Sequence, residues 1–328
     1  MRRREQGTLD ARIDAKGGAY TDLADLIRLR YAAREIGAMT SRRTRNPLSG
    51  LLTSNFRGRG IDFAEVRAYQ PGDDIRSIDW RVTARTDQPH TKLFQEEKER
   101  PVLLMVDQSQ SMFFGSRIAF KSVLAAEAAA LIAWASLERG DRTGGIVFSD
   151  RDHREVRPRR SKHSVLRLLN EINDFNRVLS NHPSDEPANE DYLAEALRNI
   201  RRVARHGSSI YLFSDFVNLT DEASIHLNQL ARHNQIIGFS IADPLEAELP
   251  APDLYTITNG DDRIRINTGN SNYRDAYHSA FEARQARTRD VFARARAPLI
   301  ELTTAEPVTR SLVGKYNAWL AQSRSGAR

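Results

Sequence analysis

The chain contains no cysteine in its 328 residues, which rules out disulfides, thiolate metal sites and cysteine nucleophiles together. Long apolar runs are missing as well. The best stretch, residues 122–137, is interrupted by Glu127, and a membrane span needs roughly 18 predominantly apolar residues. The first five residues, Met1-Arg2-Arg3-Arg4-Glu5, lead into polar sequence rather than the apolar core of a signal peptide, so a cytoplasmic protein is expected. Lysine is scarce, six of the 49 basic residues, so the net charge of +6 is an arginine charge. In an Arg- and Ala-rich chain that reflects genome base composition more readily than a binding surface. The basic clusters at 42–45 and 157–160 have no interleaved aromatics to stack on bases, which argues against nucleic acid. Neither a G-x-x-x-x-G-K-[ST] loop nor a Rossmann glycine fingerprint occurs, so any ATP hydrolysis has to come from a partner. The eight histidines are scattered without zinc-ligand spacing.

What is present is enough to build a large core, with 40% apolar residues and 28% charged ones, an ordinary soluble balance. Residues 1–20 are polar and are expected to form a loose, disordered arm. From Thr21 to about Ala38 apolar residues recur at helical spacing, with Thr21 or Asp22 as N-cap. Short strands are expected around Val66, Ile78, Val82 and 92–94, joined by turns of which Pro71-Gly72-Asp73 is the clearest. Beyond Pro101 strand and helix patterns alternate. Residues 102–106, 143–148, 210–213 and 235–241 read as strands, and 118–139, 161–173, 191–205 and 221–233 as helices, with 154–157 a candidate edge strand. Such alternation demands a parallel sheet covered on both faces. After Pro250 a hairpin is expected at 254–266, turning at Asn259-Gly260-Asp261-Asp262. A charged helix (272–296), a short strand (299–302) and a last helix (307–320) follow. The domain reading is therefore 1–20, 21–100, 101–245 and 246–328.

Ligands of open parallel sheets bind beyond the carboxyl ends of the strands. Two strands end there in an aspartate, Asp107 and Asp215, and Asp107 opens the pattern D-x-S-x-S with Ser109 and Ser111. Alternate hydroxyls on such a turn can reach one hard cation while carboxylates supply charge, which suits Mg²⁺, with Mn²⁺ or Ca²⁺ as alternatives. The competing reading is a helix N-cap, a position that serine often fills. Ser109 and Ser111 lack the G-x-S-x-G elbow of a nucleophile. An aspartyl-phosphate phosphatase ordinarily has a second carboxylate where Ser109 stands.

The run Val102-Leu103-Leu104-Met105-Val106-Asp107-Gln108-Ser109-Gln110-Ser111-Met112 resembles the metal-ion-dependent adhesion site loop of von Willebrand factor A domains. Upstream, residues 60–85, including Tyr69-Gln70-Pro71-Gly72-Asp73-Asp74-Ile75-Arg76-Ser77-Ile78-Asp79-Trp80, resemble the signature of the bacterial family known as domain of unknown function 58. This resemblance spans about residues 20–322. It implies a von Willebrand factor A-like, doubly wound α/β fold with a mostly parallel sheet and helices on both faces. An N-terminal strand/loop segment and a C-terminal hairpin-helix extension complete it. Members of that family are commonly encoded beside MoxR-type AAA+ ATPases, so such an ATPase or its client is the implied partner. Carried over position by position, the implied metal ligands are Asp107, Ser109, Ser111 and Asp215. The middle loop, which usually offers a threonine, here presents Asp191 as a tentative ligand. A third carboxylate there would over-neutralise a divalent ion and weaken its pull on a partner's carboxylate. The alternative, slightly preferred, is that Asp191 simply caps its helix.

Within the signature, Arg67, Asp73, Asp74, Arg76, Asp79, Trp80 and Arg85 read either as a recognition surface or, preferably, as a structural network of bidentate ion pairs. The resulting expectation is a non-enzymatic, metal-dependent protein-interaction adaptor working with the ATPase in protein remodelling or maturation. The alternatives are a metal-dependent nuclease using Asp79, Glu96 and Lys98, and a metal-free scaffold.

Overall fold

The computed structural model describes residues 18–34, 61–70, 78–86, 88–96, 101–179, 189–258 and 263–312. These fall into two compact units, one of residues 1–45 with 100–328 and one of residues 46–99.

In the larger unit a six-stranded sheet forms from β3 (Val102–Asp107), β4 (Thr143–Phe148), β5 (His153–Arg159), β6 (Ser209–Ser214), β7 (Gln235–Ala242) and β10 (Leu299–Thr303). Its order is β10-β7-β6-β3-β4-β5, parallel throughout except for the antiparallel edge strand β5. The helices around it are α1 (Leu23–Arg28), α3 (Lys121–Glu138), α4 (Lys162–Val178), α5 (Tyr192–Val203), α6 (Asp221–Ala231) and α8 (Ser271–Arg294). A short helix, α7 (Pro244–Ala247), follows β7, and a separate hairpin is made by β8 (Leu254–Thr258) and β9 (Arg263–Asn267). The expected mixed α/β architecture, with a mostly parallel central sheet flanked by helices, is present. Among the described residues no helix is long and apolar enough to cross a membrane.

Strand periodicity sorts the core into two layers. Val102, Leu104 and Val106 pack with α3 and α4 on one side, while Leu103 and Met105 pack with α5 and α6 on the other. Both sets are fully covered, which is why these strands read as continuous apolar runs rather than alternating ones. Helix α3 is buried nearly all round, because the sheet lies on one side of it and α1 and α4 on others. Its alanines (Ala125, Ala126, Ala128, Ala129, Ala130 and Ala133) permit that close approach. Gly145 meets a harder limit, since a Cβ there would lie 2.0 Å from the carbonyl oxygen of Leu104 on β3.

Helix α1 starts with Asp22 as N-cap, its carboxylate accepting from Ala24 N. It breaks at Leu29, and helical turns resume at 30–34. It is anchored by the Trp134 indole, which donates to Leu26 O at 3.0 Å in a buried setting. The expected arm, 1–20, lies outside the described residues up to 17. Gly18 donates to Ile118 O and accepts from Phe120 N, both at 2.9 Å.

Several boundaries differ from the sequence reading. Helix α4 runs to Val178 rather than 173, because Asn176 is completely buried and serves as a polar tie. The six-stranded sheet takes its last strand, β10, from beyond the domain limit placed at 245, since β7 leaves an open parallel edge that Leu299–Thr303 completes. The last expected helix begins at 308, and its part beyond 312 lies outside the described residues. The turns placed at 71–73 and 259–262 also lie outside them.

In the smaller unit β1 (Ile61–Ala68) pairs antiparallel with β2 (His90–Glu96), with a register shift between Phe63 and Glu65. The strand expected around Val82 is instead a helix, α2 (Trp80–Thr86). The reason is local. Asp79 accepts from the backbone N–H groups of Arg81 and Val82 at 3.0 and 3.3 Å, nucleating a helical turn that the β-branched Val82 does not override. Ile78 makes only an isolated bridge, to Thr91.

Candidate metal centre

Strands β3 and β6 are neighbours, and their register pairs Val106 with Phe213. The next step along each strand therefore puts Asp107 level with Ser214, with Asp215 one residue further on. Ser214 Oγ donates to Asp107 Oδ2 at 2.6 Å, and Ser109 N donates to Asp107 Oδ1 at 2.9 Å in a tight aspartate turn. The Ser109 hydroxyl lies near the Asp107 carboxylate and favours its charged form. Ser109 Oγ lies 3.2 Å from Ser111 Oγ, at the head of a single 3₁₀ turn, Gln110–Met112. Ser109 occupies the N-cap position of that turn without making a side-chain capping bond. The helix-cap reading therefore fails for Ser109, whose hydroxyl lies beside the carboxylate, with the Ser111 hydroxyl next to it.

Two features stiffen the loop. Gln108, the residue after Asp107, is fully buried. Its amide donates to Ser122 O at 2.9 Å and accepts from Asn176 Nδ2 at 3.0 Å, while Asn176 Oδ1 takes the Thr21 N–H at 2.7 Å. This buried chain ties the loop to α3, α4 and the start of α1. On the β6 side Phe216 has φ +54°, a left-handed conformation unusual for a bulky residue. The turn it makes returns Val217 N to donate to Asp215 Oδ1 at 3.1 Å, and its ring packs edge-on against Phe292.

Asp107 is completely buried. Burial, followed by the nearby negative charge of Asp215, pushes its carboxyl up to about 7, against the opposing pull of the Ser214 and Ser109 hydrogen bonds. Among the described residues no basic side chain pairs with Asp107. Asp215 differs: its Oδ2 accepts from Lys121 Nζ at 2.7 Å. Lys121 also donates to Glu246 Oε1 at 2.6 Å. Burial by itself would depress the Lys121 ammonium, but Asp215 and Glu246 hold it above its ordinary value.

Sequence reasoning missed Lys121, Glu246, Ser214 and Tyr192. The Tyr192 ring is buried against Phe148, and its phenol lies near the hydroxyls of Ser109 and Ser111. Burial and the two aspartates push that phenol up, so it stays protonated. Asp191 does not cap its helix through its side chain. It stands exposed at the N-cap position of α5, its side chain makes no capping bond, and its own N–H donates to Asn189 Oδ1. The residue that points inward from this turn is its neighbour. A tyrosine at the first position of an amphipathic helix was the available signal, since it belongs to that helix's buried face.

The donors fit a hard divalent cation. Asp107 supplies an uncompensated carboxylate, Ser109 and Ser111 supply hydroxyl oxygens beside it, and Asp215 stands close enough to raise the Asp107 carboxyl. Among the described residues no group of three or more His, Cys, Asp and Glu side chains is arranged to hold a metal. Half of the donors here are hydroxyls, which suits Mg²⁺ and does not suit zinc.

Of the signature residues, Asp79 caps α2, while Trp80 is 69% exposed and Arg85 is exposed too. Arg67 is described by its backbone alone, and Asp73, Asp74 and Arg76 lie outside the described residues, as does Lys98.

Fold and site together define a doubly wound α/β protein with a hydroxyl–carboxylate cluster at the carboxyl ends of two adjacent parallel strands. Residues 65–287 match the family described as Protein of unknown function DUF58, and the chain belongs to that family. Uncharacterized proteins of Mycobacterium bovis and Mycobacterium tuberculosis are 28% identical to it over 271 residues, covering 82% of each chain. The uncharacterized protein YeaD of Bacillus subtilis is 39% identical over 51 residues, 16% of this chain and 13% of that one. Among solved structures, the conserved hypothetical protein BatB of Bacteroides thetaiotaomicron aligns with TM-score 0.41 at 14% identity, covering 67% of this chain and 98% of BatB. An aerotolerance-related membrane protein of Bacteroides fragilis aligns with TM-score 0.39 at 16% identity, covering 67% of this chain and 99% of that one.

Proposed function

We propose that this protein is a non-enzymatic, metal-dependent protein-interaction adaptor of von Willebrand factor A-like architecture. Asp107, Ser109 and Ser111 would hold Mg²⁺, with Mn²⁺ or Ca²⁺ as alternatives, and Asp215 would add charge beside them. When bound, the ion would supply an electrophilic point for a partner's Asp or Glu. The single observation that carries this reading is the buried Asp107 carboxylate, without a basic partner among the described residues, next to the Ser109 hydroxyl, which itself lies 3.2 Å from that of Ser111. The resemblance to families encoded beside MoxR-type AAA+ ATPases suggests that such an ATPase, or its client, is the partner, in protein remodelling or maturation. Asp191 plays no part in the reading, because it is exposed and Tyr192 occupies the inward position.

The protein's own residues do three things. The Gln108 and Asn176 ties hold the loop in place, Ser214 orients Asp107, and Tyr192 sets a protonated phenol beside the serine hydroxyls. Pull-downs with a MoxR-type ATPase, comparing wild type and Asp107→Ala with and without chelator, test the adaptor role. Recovery of the partner should fall in both altered arms, and equal recovery in all four counts against it. Cytoplasmic location belongs to the same reading.

One observation favours a metal-free scaffold as a second reading: Lys121 already supplies a cation to Asp215. Isothermal titration with Mg²⁺ and Mn²⁺ separates the two, since a scaffold gives no saturable heat. The nuclease alternative is weaker, because the Asp79 carboxylate is engaged in capping α2.

A further inference from the structure

We propose that Lys121 is a positioning residue that sets how tightly the Asp107 site holds a divalent cation, by keeping Asp215 from acting as a direct ligand. This rests on the metal reading above and goes beyond it by assigning the control of affinity to an ion pair outside the donor set.

Lys121 opens helix α3, and its side chain is 1% exposed. A buried ammonium is tolerated only when it is paired and hydrogen-bonded. Its partners are Asp215 Oδ2 and Glu246 Oε1. The other oxygen of Asp215 takes the N–H of Val217, so both of its oxygens are engaged. Among the described residues Asp107 accepts from neutral donors, Ser109 and Ser214. The two strand-end aspartates, equivalent in the sequence, are thus unequal in the structure. Asp107 offers free charge, and Asp215 offers charge already taken up by Lys121.

Electrostatics then sets the consequence. A divalent ion that meets one uncompensated carboxylate is bound less tightly than one that meets two. It also retains more of its charge for an outside carboxylate, which is the useful state for an adaptor. Once a cation displaces the Asp107 proton, the three carboxylates Asp107, Asp215 and Glu246 with the single ammonium of Lys121 leave two negative charges, the number one divalent cation balances. Glu246 is the adjustable member. It lies on α7 after β7, and its Oε2 accepts from Asp243 N in a capping box. Weakening the Glu246 pair should drive Lys121 more fully onto Asp215.

Two variants push affinity in opposite directions, which a merely structural role cannot do. Lys121→Met frees Asp215 and should tighten Mn²⁺ binding by about tenfold or more. Glu246→Gln keeps the capping-box hydrogen bond, since glutamine serves there as well as glutamate. It removes a negative charge and should loosen binding several-fold. Isothermal titration of the full chain with Mn²⁺ measures both, with circular dichroism checking that each variant is folded. Water-proton relaxation of the bound Mn²⁺ adds a second readout, since direct ligation by Asp215 in Lys121→Met should expel coordinated water.

Unchanged or weaker affinity in folded Lys121→Met overturns the proposal. If that variant does not fold, Glu246→Gln decides alone, and wild-type affinity there overturns it. Asp107→Ala is the separate control. If wild type shows no saturable binding, or Asp107→Ala binds as wild type does, the metal reading itself falls and takes this proposal with it.

Discussion

Ser214 on β6 donates its hydroxyl to Asp107 on β3 at 2.6 Å, so the residue before one strand-end aspartate holds the carboxylate of the other. The same Ser214 Oγ accepts from Phe216 N at 3.0 Å. One hydroxyl therefore serves a buried charge and a strained turn together.

Ser214→Ala should cost about 1–3 kcal/mol of stability, the usual cost of leaving buried hydrogen-bonding groups without a partner. Urea unfolding measures it. A loss within the error of the midpoint would mean that Asp107 finds another donor.

Tyr192→Phe keeps the ring against Phe148 and removes only the phenol hydroxyl beside Ser109 and Ser111. Stability should change little. Mn²⁺ affinity should fall by about tenfold, the scale on which second-shell hydrogen bonds orient metal ligands. An unchanged affinity in titration calorimetry would show that the two hydroxyls orient themselves.

Asp243 gives a pH dependence. Burial would push its carboxyl up, but the Ser116 hydroxyl, the Thr304 hydroxyl and the N–H groups of Ser116 and Leu245 together hold it below the ordinary carboxylate range. Its folded value is the lower one, so its contribution is fully present above the unfolded carboxylate value of about 3.9 and is lost as pH falls through the folded value. Asp243→Asn should therefore be less stable than wild type by about 1–3 kcal/mol at neutral pH. That gap should close in unfolding curves taken at progressively more acidic pH. A gap that persists undiminished would show that the charge is not what Asp243 contributes.

Trp134→Phe removes the donor to Leu26 O and leaves a buried carbonyl unpaired. Amide exchange at residues 23–34 should accelerate by about an order of magnitude or more, equivalent to at least ~1.4 kcal/mol of local stability. The sheet strands should keep wild-type protection, and uniform acceleration across the chain would contradict the local role.

The legible parts of this chain are those whose signal is carried by neighbours in sequence. Residues 102–107 read as a doubly buried strand because every second residue must face an apolar layer, and both layers are present. Ser161 announced α4 because a hydroxyl facing the N–H of residue 164 is a three-residue matter. Local signals also misled. Val82 suggested a strand where the Asp79 cap builds a helix, and Asp191 drew notice as a charge where its neighbour Tyr192 enters the core.

By itself, then, the sequence determined the alternation of strands and helices and the presence of an aspartate at the end of two of the strands, because burial periodicity and turn chemistry act over a few residues. Tertiary structure alone decided which groups meet. Across their separation of 94 positions, Lys121 and Asp215 carry no mark of their pairing. Nor does β10 indicate that it completes the sheet beside β7. Such contacts depend on strand order and on the burial of a charge that must find a counter-charge, and both are properties of the assembled fold.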